Sequence, residues 1–176
     1  CDRQRREARV TFRYRPHIID TSLEGRGFAQ TALVDLDGCG RPEYILGRRG
    51  GELYVYKFNA PDDWTRYQVG SDSPSDVGGA VTDIDGDGRP DIIAGGAWYR
   101  NSGDLAAGFE RFVFDATLQG VHDIAIGDID GDGRSEVVTM SDKNDLRWYR
   151  VGDDPTRPWP TPTRIGDPVH AGVALG

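Results

Sequence analysis

Short apolar runs recur along the chain, and each is closed by Gly, Pro, Asp or Asn before it reaches helical length. Runs of this kind, rich in β-branched and aromatic residues, fit a pleated, half-buried surface. They fall into sets of four. The first strand of each set is read at Ala32–Val34, Ala80–Thr82 and Ile124–Ile126, and the second at Tyr44–Leu46, Ile92–Ala94 and Val137–Thr139. The third follows at Leu53–Tyr56, Ala97–Tyr99 and Leu146–Tyr149, and an outer strand at Tyr67–Val69, Phe112–Phe114 and Thr163–Ile165. The pattern predicts an all-β protein with four antiparallel strands per repeat.

Between the first and second strand of every set lies the same nine-residue segment: Asp35–Glu43 (DLDGCGRPE), Asp83–Asp91 (DIDGDGRPD) and Asp128–Glu136 (DIDGDGRSE). Their first residues are 48 and 45 positions apart, the length of a four-stranded propeller blade. The repeats are read at roughly 28–70, 76–118 and 121–166, after a charged N-terminal segment at 1–11. Phe12–Asp20 reads as the outer or closing strand of another blade. From 169 a partial blade begins, because His170–Gly176 echoes His122–Gly127. The expectation is therefore a partial β-propeller over 12–176. Propellers close with four to eight blades, so about three repeats imply either a fragment of a longer chain or closure by self-association. An isolated fragment would be marginal, since its end blades expose faces that a ring buries.

Loop chemistry points to a metal. Acidic residues at positions 1, 3 and 5 send carboxylates inward, and glycines at positions 4 and 6 let the backbone wrap a cation. Four carboxylates within nine residues repel one another strongly unless a cation sits between them. A hard ion with six to eight oxygen ligands suits this set, with a carbonyl at position 7 and a carboxylate at position 9 completing it. Loop two then offers Asp83, Asp85, Asp87, the Arg89 carbonyl and Asp91 to Ca2+, and loop three offers Asp128, Asp130, Asp132, the Arg134 carbonyl and Glu136. Loop one offers Asp35, Asp37, the Arg41 carbonyl and Glu43, but carries Cys39 at position 5. A thiol there predicts weaker calcium binding. An EF-hand is excluded: its position 12 must be acidic, and here it is Leu46, Ala94 or Thr139 between β-like flanks. Magnesium demands tighter geometry, and zinc wants His or Cys.

The loop, its strand context and its period together resemble the FG-GAP/VCBS repeats of bacterial surface proteins, related in form to the integrin α-subunit propeller. The resemblance covers roughly residues 28 to 150. It implies a β-propeller, often seven-bladed, with calcium in the loops between the first two strands of each blade. It also implies an extracellular or cell-envelope location. Cys39, Glu43 and Glu136 depart from the usual Asp.

Composition narrows the partners. A formal charge of -8 with no basic face argues against nucleic acid. No apolar stretch is long enough to span a membrane as a helix. The two cysteines, Cys1 and Cys39, do not make a disulfide framework; Cys1 at the start is also compatible with a bacterial lipid anchor. Trp98–Arg100, Trp148–Arg150, Tyr54 and Tyr56 form aromatic ridges that either pack between blades or stack on sugar rings. His122 and His170 sit at matching phase near the expected channel mouth. No nucleophile elbow, phosphate loop or metalloprotease motif appears. The functional expectation is a calcium-stabilised extracellular module that binds protein or polysaccharide. The alternative is the propeller domain of a polysaccharide lyase or sugar dehydratase.

Overall fold

The computed structural model describes residues 13–75 and 79–168. These contain twelve strands and no helix. The first sheet runs β1 (Phe28–Val34), β2 (Glu43–Arg48), β3 (Leu53–Ala60) and β4 (Asp63–Gly70). The second runs β5 (Gly79–Thr82), β6 (Asp91–Ala94), β7 (Ala97–Arg100) and β8 (Glu110–Val113), and the third β9 (Val121–Gly127), β10 (Glu136–Ser141), β11 (Leu146–Tyr149) and β12 (Thr163–Gly166). In each, every strand pairs antiparallel with the next in sequence. The described residues thus form a succession of three up-and-down sheets, with the twelve strands expected of the three repeats. Among the described residues the sheets do not close a barrel or ring.

The sheets stack face to face because both faces of the middle one are apolar. Side chains alternate across a strand, so the four consecutive buried residues of β6 divide between two cores. Ile92 and Ala94 join Tyr99 of β7 against Ile45, Leu53, Val55 and Val69 of the first sheet. Ile93 joins Trp98 against Ile124, Val137 and Tyr149 of the third. Register holds each pair together, since Ile92 lies opposite Tyr99 and Ile93 opposite Trp98. Burying an aliphatic or aromatic side chain of this size contributes about 1.5–3 kcal/mol.

The stacking has one direction. The residue after each loop faces the preceding sheet, as Ile92 and Val137 do, and the next faces the following sheet, as Ile45 and Ile93 do. The first strands of neighbouring sheets lie side by side, β1 against β5 and β5 against β9.

Trp98, Tyr99 and Tyr149 of the aromatic ridges serve this packing and are at most 1% exposed, whereas Tyr56, equally buried, lies outside both cores beside Tyr44. Trp98 stacks on Phe112 at 4.9 Å, and Phe114 on Trp159 at 4.1 Å. The polar ends of the rings find partners: the Trp98 indole donates to the Pro155 carbonyl and the Tyr99 hydroxyl to the Ser71 carbonyl.

The expected strand over Phe12–Asp20 is not formed by the described residues 13–20. Instead the chain is tethered through polar contacts to the first sheet. The Ile18 amide and the His17 ring meet the Asp62 carboxylate, and Asp20 accepts from Tyr56 and Arg66. Residues 1–11, including Cys1, and the partial blade from 169, including His170, lie outside the described residues.

Candidate metal centres in the Asp loops

Each Asp loop bridges the first two strands of its sheet, and its ninth residue opens the second strand. Its two glycines are required. Gly38 and Gly40, Gly86 and Gly88, and Gly131 and Gly133 all have φ between 71° and 87°, the left-handed region that residues with a Cβ seldom adopt. This curls the loop so that its amides point back at the first carboxylate. Asp83 accepts from the Gly86, Asp87 and Gly88 amides at 2.8, 3.1 and 2.9 Å. Asp128 accepts from Gly131 and Gly133, and Asp35 from Cys39 and Gly40.

Position 9 is the anchor. Glu43, Asp91 and Glu136 are at most 2% exposed, and each carboxylate accepts the amide of position 2: Leu36 at 2.8 Å, Ile84 at 2.9 Å and Ile129 at 2.7 Å. Burial pushes the Asp91 carboxyl up to about 6; the amides of Asn101 and Ile84 oppose this, while Asp85 and Asp87 add repulsion. Burial likewise raises Glu43, against the Leu36 amide.

Positions 1, 3 and 9 converge. One carboxylate oxygen from each of Asp83, Asp85 and Asp91 lies within 4.8 Å of the others, as do those of Asp128, Asp130 and Glu136. In loop one Asp35, Asp37 and Glu43 converge in the same way, joined by the Cys39 sulfur. Position 5 behaves differently where it is Asp. Asp87 and Asp132 stand outside these groups, with their carboxylates accepting the Arg89 and Arg134 amides at 2.9 and 2.8 Å. The Arg89 side chain also pairs with Asp87. Cys39 is exposed and unbridged, and its hydrogen bond with Asp37 raises the thiol, which keeps it neutral.

Three basic residues reach these loops that the sequence did not mark as their partners. Lys57 pairs with Asp37, Arg100 reaches Asp85 at 2.7 Å, and Arg150 reaches Asp130 at 2.5 Å. All three carboxylates belong to position 3, and all three cations stand at or just past the third strand of the same sheet. The signal was a basic residue directly after tyrosine in each repeat: Tyr56 and Lys57, Tyr99 and Arg100, Tyr149 and Arg150.

Residues 35–94, from loop one to the end of β6, match the model of the FG-GAP-like repeat. This stretch of the chain is similar to an FG-GAP-like repeat. The match contains the first two Asp loops; the third carries the same nine-residue pattern outside it. No curated protein and no solved structure matches the chain.

His122, ahead of the first strand read from the sequence at Ile124–Ile126, lies within the longer β9, where its Nε2 is 3.2 Å from Asp142. No helix among the described residues is long and apolar enough to cross a membrane.

Proposed function

We propose that this chain is an FG-GAP-type extracellular β-propeller module in which calcium braces the Asp loops and the assembled surface engages a protein or polysaccharide partner. The observation that carries the reading is the convergence, three times over, of carboxylate oxygens within 4.8 Å of one another at the same turn of successive sheets. Calcium sits 2.3–2.6 Å from its oxygens, so two ligands of one ion lie up to about 5 Å apart. The gathered set fits that ion in both spacing and hardness. Asp83, Asp85 and Asp91 would hold it in loop two and Asp128, Asp130 and Glu136 in loop three. Asp87, Asp132 and the carbonyls of Arg41, Arg89 and Arg134 are available to complete the shells. Bound calcium supplies positive charge between carboxylates and a cross-link across the loop.

The propeller arrangement is supported by the one-directional stacking and by the neighbouring first strands, which are placed as the innermost strands of successive blades would be. An exterior location accords with the resemblance to surface-protein repeats. The test is calorimetric titration with calcium and magnesium, paired with thermal melts before and after chelation. Calcium heat with a lower melting temperature after chelation supports the reading; no heat and an unchanged melt overturn it. A glycan and surface-protein binding panel, assayed in parallel for turnover, tests the partner, with binding and no turnover expected.

A further inference from the structure

Every position-3 carboxylate already holds a cation, and that cation comes from the protein. Asp85 divides its two oxygens: Oδ1 accepts the Asp87 amide at 3.3 Å, and Oδ2 takes the Arg100 Nε at 2.7 Å. Asp130 does the same with the Asp132 amide and Arg150, and Asp37 with the Cys39 amide and Lys57. Threefold recurrence across sequence separations of 20, 15 and 20 residues rules out a chance surface pairing.

The arginines are also held in place by rings. The Arg100 guanidinium lies 5.5 Å from the Trp98 ring centroid and 4.9 Å from that of Phe112, and Arg150 lies 4.8 Å from Trp148. Cation–π attraction of this kind keeps a guanidinium where it is. Among the described residues Lys57 makes no such ring contact. Arg100 is the more constrained of these two arginines, with its side chain 32% exposed against 57% for Arg150.

We infer that Lys57, Arg100 and Arg150 are built-in counter-ions that hold the Asp loops in their metal-free form and compete with calcium for the third carboxylate. This rests on the calcium reading of the loops. A divalent ion drawn to Asp83, Asp85 and Asp91 meets a fixed positive charge on one of its own ligands. The two cations repel, and whichever binds weakens the other. The consequence is a domain whose loops stay folded when calcium is scarce, at the cost of calcium affinity. Solvent and salt screen an exposed charge more than a half-buried one, so the competition is stronger in loop two than in loop three.

The experiment compares the parent chain with Arg100→Gln, Arg150→Gln and the charge-conserving Arg100→Lys. Thermal melts in chelator and calorimetric titration with calcium chloride are run on each. Arg100→Gln is expected to lower the metal-free melting temperature and to tighten one calcium site at least about fivefold, within the usual range of site-to-site coupling. Arg150→Gln should tighten a different site by less, and Arg100→Lys should stay near the parent. If Arg100→Gln fails to fold without metal, Arg150→Gln, on the more exposed pair, decides by the same readouts. A parent that binds calcium while both glutamine variants bind it equally or more weakly overturns the competition and leaves the calcium reading standing. Absence of calcium binding in the parent and in every variant ends both.

Discussion

The Asn101 side-chain amide donates to the Leu36 carbonyl at 2.7 Å, so the second sheet holds the first loop directly. The residue is wholly buried, and its own backbone amide meets Asp91 at 2.8 Å while its side chain also reaches the Pro90 carbonyl. One side chain therefore ties two Asp loops together.

Replacing Asn101 by Ala leaves the buried Leu36 carbonyl and the half-buried Pro90 carbonyl without this donor. An unsatisfied buried polar group costs about 1–3 kcal/mol. Asn101→Ala should be destabilised by about that amount in urea unfolding, with the first and second sheets losing amide protection together. A change within experimental error would show that the bridge contributes nothing.

The Tyr149 hydroxyl donates to the Asp115 carboxylate at 2.8 Å, in a site that also receives the Thr117 amide and hydroxyl and the Arg147 guanidinium. Burial and this bond push the phenol up to about 12. Tyr149→Phe keeps the ring in its core and removes only the bond. Hydrogen bonds to charged groups contribute about 1.5–3 kcal/mol, and a loss of that size is expected by chemical denaturation.

Asp20 repeats the same arrangement with Ser22, Tyr56 and Arg66. Burial pushes its carboxyl up, but the Ser22, Tyr56 and Arg66 contacts outweigh that and hold it down to about 2 from the usual 3.8. A carboxyl depressed in the folded state contributes stability above its unfolded value, and that contribution is lost as pH falls through the folded one. Unfolding free energies of the parent should therefore drop between about pH 4 and pH 2. Asp20→Asn should be less stable at neutral pH and lose less over that window; parallel profiles for the two proteins would count against this.

Cys39 stands where loops two and three carry Asp, and its raised thiol supplies no charge to a hard cation. Calcium titration is expected to resolve two tighter sites and one weaker. Cys39→Asp should tighten the weak site about tenfold, or about 1.4 kcal/mol. Because Asp87 and Asp132 turn away from their groups in the metal-free loops, this gain requires the position-5 carboxylate to swing inward on binding. Three equal sites in the parent, unaltered by the substitution, would sink the assignment.

Repeat period, strand order and loop geometry were legible in the residues themselves. Each is local: a strand needs only its own apolar run and its flanking breakers, and a left-handed turn at positions 4 and 6 needs only glycine there. Even the outer strands, such as Thr163–Gly166 with its single apolar residue, fell where the period placed them.

Other features depend on which face a side chain presents and which sheet it meets. Trp98 and Tyr99 are neighbours in the chain yet belong to different cores, because alternation sends them to opposite faces and each face has its own partner sheet. Asn101 finds Leu36 across 65 residues, and Arg100 finds Asp85 only once β7 has brought its end beside the loop. Residues 13–20 are apolar enough to be read as a strand, yet they meet the first sheet through Asp62, Tyr56 and Arg66 side chains rather than through a backbone ladder. Local pattern thus determined that there would be twelve strands and three acidic loops. Folding of each sheet decided which carboxylates converge, which turn aside and which cation each one holds, and stacking of the sheets decided which core each ring joins and which carbonyl Asn101 meets, since those pairings join groups that only the packed fold brings within reach.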